Sequence, residues 1–113
     1  MTEMCPMIIS RSSFGCTINV HSNEIFVAGG FTHGVTTRKC EAYSVATNIW
    51  RELPLLNEEK CASSLCFLNG RYLYCIGGYR KADSSGAYLL STIEMLDLWH
   101  AYPKWNTLAI KLP

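Results

Sequence analysis

Little in this sequence of 113 residues points to a membrane, a nucleic acid or a catalytic centre. No apolar run approaches the roughly 20 residues that a membrane-crossing helix needs. Residues 1–6 carry no basic region, and Met7-Ile8-Ile9 is too short for the apolar core of a signal sequence, so a cytoplasmic location is expected. The net charge is only +1, without the basic cluster that a nucleic-acid or anionic-membrane surface requires. The densest charge groups, Arg38-Lys39, Glu58-Glu59-Lys60 and Arg80-Lys81, read as solvated turns. No Gly-x-Ser-x-Gly, phosphate loop or spaced carboxylate pair is present. The three histidines, His21, His33 and His100, fall in different kinds of turn and read as surface residues that do not converge on a metal. The six cysteines include no Cys-x-x-Cys, and Cys61 and Cys66 have no His pair beside them, which argues against zinc. Without a signal sequence the thiols are expected to be reduced, with Cys66 and Cys75 acting as small core residues. No enzyme activity, cofactor or metal is expected. Nor is there a 3.6-residue apolar stripe long enough to demand a helix.

What the chain does have is apolar residues, 49% of the total against 17% charged, enough for one globular unit. It also has a repeat. Glu24–Gly30 reads Glu-Ile-Phe-Val-Ala-Gly-Gly, and Tyr72–Gly78 reads Tyr-Leu-Tyr-Cys-Ile-Gly-Gly. Each apolar run predicts a strand that ends at its Gly pair, because glycine weakens a strand and permits a sharp exit. Upstream, Phe14, Cys16, Ile18 and Val20 recur at every second position, which predicts a strand with all four on one face. His21-Ser22-Asn23 joins it to the Gly-Gly strand as a hairpin. Downstream, Phe31–Thr37 reads as a loop, 39–45 and 49–53 as two more strands, and Pro54 as the stop. The second half keeps this order. A strand over 62–68 leads into Asn69-Gly70, a strong hairpin signal, and then into 71–76. A long loop over Tyr79–Leu90 separates these from strands near 92–98 and 105–110. Leu55–Lys60 reads as a polar connection. Gly29 and Gly77 are 48 residues apart and Trp50 and Trp105 are 55 apart. The extra length falls in predicted loops, where it costs little.

An apolar strand ending in Gly-Gly, then Glu-x-Tyr, then Trp and Leu-Pro, resembles the kelch repeat. The first copy carries Arg11, Ile25–Gly30, Glu41-Ala42-Tyr43, Trp50 and Leu53-Pro54. The second carries Lys60, Leu73–Gly78, Glu94-Met95-Leu96-Asp97, Trp105 and Leu108. It departs where Lys60 stands for an Arg, Leu96 for the Tyr, and Leu108-Ala109 for Leu-Pro. The resemblance implies an all-β protein: two four-stranded antiparallel kelch blades of an incomplete β-propeller. Residues 1–10 would be a tail, 11–54 the first repeat and 55–113 the second. The Gly-Gly strands are expected to be the inner strands crowding a channel, with Trp50 and Trp105 filling the gaps between blades. Propellers have about four to eight blades, so three arrangements stay open: part of a longer protein, an oligomer such as a trimer, or an open two-blade sandwich.

The resemblance also implies a protein-interaction module. Its partner surface would be the loops after each Gly-Gly strand and between blades: Phe31–Arg38, Leu55–Lys60 and Tyr79–Leu90. The expected partner-binding residues are His33, Arg38, Tyr79, Arg80, Lys81 and Tyr88, since Tyr and Arg are the types enriched at interface hot spots. The partner would be a protein, such as a ubiquitin-ligase substrate or a cytoskeletal protein, and neither a nucleic acid nor a membrane. The alternative is a structural protein that completes a propeller as a homo-oligomer.

Overall fold

The computed structural model describes residues 14–81 and 88–111, so the expected tail over 1–10 and Arg11 lie outside the described residues. Twelve strands and no helix run through them: β1 (Gly15–Asn19), β2 (Glu24–Ala28), β3 (Phe31–Thr32), β4 (Val35–Thr36), β5 (Cys40–Ser44), β6 (Ile49–Leu53), β7 (Ser64–Leu68), β8 (Tyr72–Ile76), β9 (Tyr79–Arg80), β10 (Tyr88–Leu89), β11 (Thr92–Asp97) and β12 (Trp105–Lys111). Eight of them form two antiparallel four-stranded sheets, in the orders β1-β2-β5-β6 and β7-β8-β11-β12. These are the two blades, and their strands follow the apolar runs of the sequence closely.

Turn chemistry explains the connections. Asn69 and Gly70 both take positive φ, 56° and 64°, as a two-residue hairpin turn of the primed kind requires. The Arg71 N–H closes that turn by donating to the Leu68 carbonyl at 3.1 Å. His33 and Gly34 do the same, with φ of 52° and 84°. They fold Phe31–Thr37, expected as a loop, into the small hairpin β3–β4. The second blade has its counterpart in β9–β10, where Tyr88 pairs with Arg80 and Leu89 with Tyr79. Two-residue arms are too short to show an alternation, so the sequence pattern could not separate them from loop.

The blades pack face to face. Phe26, Ala28, Cys40, Ala42 and Leu53 of the first sheet meet Leu73, Cys75, Leu96 and Trp105 of the second in one buried cluster. The rings of Phe26 and Phe67 lie 5.2 Å apart across this junction. Burying each large side chain here contributes on the order of 1.5–3 kcal/mol. Trp105 sits in the gap as expected, and its indole N–H donates to the Pro54 carbonyl at 2.9 Å, tying the second sheet to the exit of the first. Trp50 is only half-buried and packs on Tyr43.

Three expectations need correction. The Gly-Gly strands β2 and β8 are second in their sheets; the strands that adjoin between the blades are β1 and β7. The alternating apolar positions of β1 share a face as expected, and it is the open one: Cys16 and Ile18 are exposed, while Gly15 is buried against Ser63 and Leu65. Leu55–Lys60 is not simply polar, since Leu56 is fully buried. Glu58-Glu59-Lys60 is not a solvated turn, because Lys60 is also fully buried and pairs with Glu94. A lysine next to two glutamates looks solvated until another element supplies a buried carboxylate.

Candidate partner-binding surface

The antiparallel order sends both Gly-Gly exits, the connection 54–63 and the hairpins β3–β4 and β9–β10 to one end of the sheets. Glycine is required at these exits by close backbone approach. At Gly78, with φ of +95°, an added Cβ would lie 2.6 Å from the Cys61 carbonyl oxygen. At Gly29, with φ of +67°, it would collide with the Lys60 carbonyl oxygen. The inter-blade segment is thereby drawn against both exits, and the Gly30 N–H donates to the Lys60 carbonyl at 2.8 Å.

Beneath this end lies the buried pair. Lys60 Nζ is 2.6 Å from Glu94 Oε2, with both side chains fully inaccessible. The ammonium makes no well-aligned hydrogen bond, so the contact is one of charge. Glu94 Oε1 and Oε2 also accept the backbone N–H groups of Asn57 and Glu58, at 2.6 and 3.3 Å. The side chain of Asn57 donates to the Trp105 carbonyl. The carboxylate of the second blade thus organises the loop that leaves the first. Burial pushes the nearby Cys75 thiol up, against the opposing pull of Lys60. Cys61 is likewise raised by burial. Both read as structural thiols.

On this frame the expected residues divide. Tyr79, Arg80, Lys81 and Tyr88 come together. Tyr79 and Cys61 exchange backbone hydrogen bonds of 2.9 and 3.0 Å. Arg80 Nε donates to Glu59 Oε1 at 3.0 Å. The Lys81 carbonyl accepts both the N–H and the hydroxyl of Thr36, joining β9 to β4 of the other blade, and its ammonium stands 5.8 Å from the Phe31 ring. Tyr88 remains exposed beside Arg80. His33 is at the exposed tip of β3–β4, joined to no other expected residue. Arg38 has a structural task, since its Nε donates to the Leu56 carbonyl at 2.6 Å while the Leu56 N–H donates to the Arg38 carbonyl. Exposed apolar residues at the same end escaped the sequence reading: Val35, Leu55 and Leu89, the last 88% exposed. The signal for them was an apolar residue inside a segment otherwise read as loop.

Chemically the surface offers phenol rings, a paired guanidinium and isolated aliphatic side chains. Among the described residues no three of His, Cys, Asp and Glu gather where they would hold a metal. His21 and His100 lie in turns at the opposite end from His33. No helix is long and apolar enough to cross a membrane.

The Kelch motif family model matches residues 13–55, which is the first blade. Kelch-like protein 40 of Mus musculus is 38% identical over 97 residues, covering 86% of this chain. The Homo sapiens form is 37% identical over the same length. Kelch repeat and BTB domain-containing protein 1 of camelpox virus is 36% identical over 109 residues, 90% of this chain. The chain spans only 15% of the length of the first two relatives and 18% of the third.

Proposed function

This chain belongs to the kelch-repeat family, and on that premise we propose that it is a protein-interaction module that takes its partner at the Gly-Gly end of its two blades. The observation that carries the proposal is the hydrogen bonding there: Thr36 to Lys81 across the blades, and Arg80 to Glu59 of the inter-blade segment. It holds β9, with Tyr79 and Arg80, in place before a partner arrives, and Tyr88 is paired with Arg80 on β10. Preorganised aromatic and arginine side chains lose little freedom on binding, so more of their contact energy appears as affinity. The other groups of the surface, Lys81, His33 and Arg38, extend it toward the first blade. The partner is a protein rather than a substrate to be transformed. The family relationship favours a ubiquitin-ligase substrate or a cytoskeletal protein, and the cytoplasm as the place of action. The repeat boundaries at 11–54 and 55–113 go with this reading.

The second reading, self-assembly into a complete propeller, is favoured by one observation. The face of the second sheet turned away from the first carries Tyr72, Tyr74, Ile76 and Met95, none of them fully buried. Sedimentation at several protein concentrations tests it, since a stable trimer would support assembly and a monomer would reject it. The partner-binding reading is tested by affinity purification from cells with the native chain, with Arg80→Ala/Tyr88→Ala, and with Val45→Ala, an exposed residue at the opposite end. Proteins lost with the first variant and kept with the second are the expected result. A partner set unchanged by Arg80→Ala/Tyr88→Ala refutes the assignment.

A further inference from the structure

The end of the sheets opposite the Gly-Gly loops is built from the turns 20–23, 45–48, 69–71 and 98–104. Two features lie at this end. A cleft of about 550 Å³ opens between the β1–β2 and β7–β8 turns, with Ile18, Val20 and Phe67 as its apolar wall. On the face of the second sheet turned away from the first, Arg71 is clamped. Its Nε and guanidinium nitrogen each donate to Asp97 at 2.8 Å, and its cationic carbon stands 5.0 Å from the Tyr72 ring and 5.1 Å from the Trp99 ring. The backbone N–H of Trp99 donates to the same carboxylate at 3.0 Å. The Trp99 indole therefore rests on a guanidinium that is itself held by Asp97, although the residue is 69% exposed. An indole that is both ordered and exposed is what an interface anchor needs.

Charge says what this end would accept. Its carboxylates are occupied: Asp97 by Arg71, and Glu24 by Arg51 at 2.9 Å. None of the ion pairs among the described residues involves Lys104, which stands exposed near His100 and Tyr102. The charge left for a partner is positive. We infer that this end is a second docking surface, for an extended acidic segment of a partner protein that places one bulky apolar side chain in the Ile18–Val20–Phe67 cleft and packs beside Trp99. It is separate from the Gly-Gly surface, and the two can be occupied together.

The test uses the full chain and three fluorescein-labelled peptides made of Asp and Glu around a single Phe, Leu or Trp. Binding is followed by anisotropy at low salt. Saturable binding of at least one peptide is expected, weakened at least fivefold by Val20→Asp and by Lys104→Glu and lowered by added salt. Tyr88→Ala, at the other end, should leave it unchanged. Substituting Lys for the acidic residues, or Ser for the apolar one, should abolish it. No binding of any of the three peptides up to millimolar concentration overturns the inference, as does equal binding of the lysine peptide. Loss with Tyr88→Ala but not with Val20→Asp assigns the peptide to the Gly-Gly end and also overturns it. Val20 and Lys104 are exposed, so these variants keep the fold, and a circular dichroism spectrum verifies that.

Discussion

Lys60 and Glu94 meet at 2.6 Å with no solvent access to either side chain, one from the loop between the blades and the other from β11. Removing one partner strands a buried charge, a loss of about 3–5 kcal/mol, whereas replacing both with apolar residues of similar size is often neutral. Lys60→Met alone and Glu94→Leu alone should each lower the urea midpoint sharply. The double variant should recover most of the loss. A double variant as unstable as the two single losses added together would mean that the backbone N–H groups of Asn57 and Glu58 depend on the carboxylate more than the lysine does.

Glycine positions separate strain from crowding. Gly34 takes φ of +84° with open space where a Cβ would go, while Gly78 takes φ of +95° with the Cys61 carbonyl in the way. Gly34→Ala should cost about 1–2 kcal/mol, the left-handed penalty alone. Gly78→Ala should cost clearly more, because the inter-blade segment must also move. Equal losses in chemical denaturation would show that this segment yields freely.

Trp105 and Trp50 occupy matching places in the two copies but differ in burial, so their replacement should differ too. Trp105→Phe keeps most of the apolar volume and loses the bond to the Pro54 carbonyl, at a cost of about 1–3 kcal/mol. Trp50→Phe, at a half-buried site, should cost less. Thermal unfolding of both variants checks the order.

The Asp97 carboxyl is lowered to about 2, first by its hydrogen bonds from Arg71 and then by the backbone N–H of Trp99. A carboxylate lowered on folding adds stability above its unfolded value near 4, and that contribution is lost as pH falls through about 2. The Asp97→Asn variant should be less stable than the native chain at pH 5, and the gap should close by pH 2. Acid titrations of both, followed by tryptophan fluorescence, measure it. A gap unchanged across that interval would mean that the Arg71–Asp97 pair gives no ionic stabilisation.

The eight strands of the two four-stranded sheets could be read from the chain alone. Glu24–Ala28 and Tyr72–Ile76 are largely apolar runs stopped by Gly pairs, and Ile49–Leu53 is a short segment stopped by Pro54, so local sterics decide them. The same is true of the turn at Asn69-Gly70, where only residues tolerant of positive φ fit. The loops at the Gly-Gly end were located from spacing, but not their inner structure. Which residues there stand free and which hold the frame depended on partners far along the chain. Arg38 proved to support Leu56, 18 positions away, while Arg80 stayed at the surface with Glu59.

Burial was settled only by the packing of one sheet on the other. Lys60 reads as solvated beside Glu58 and Glu59, and only the arrival of Glu94 from the second blade makes its burial tolerable. Cys16 and Ile18 read as sharing one face of a strand, and they do, but the first sheet turns its other face, with Gly15, Phe26 and Ala28, toward the second. A period of two divides a strand into two faces but does not say which one a neighbour will cover. That choice belongs to the twist and placement of the two sheets, and with it the location of every surface left open to a partner.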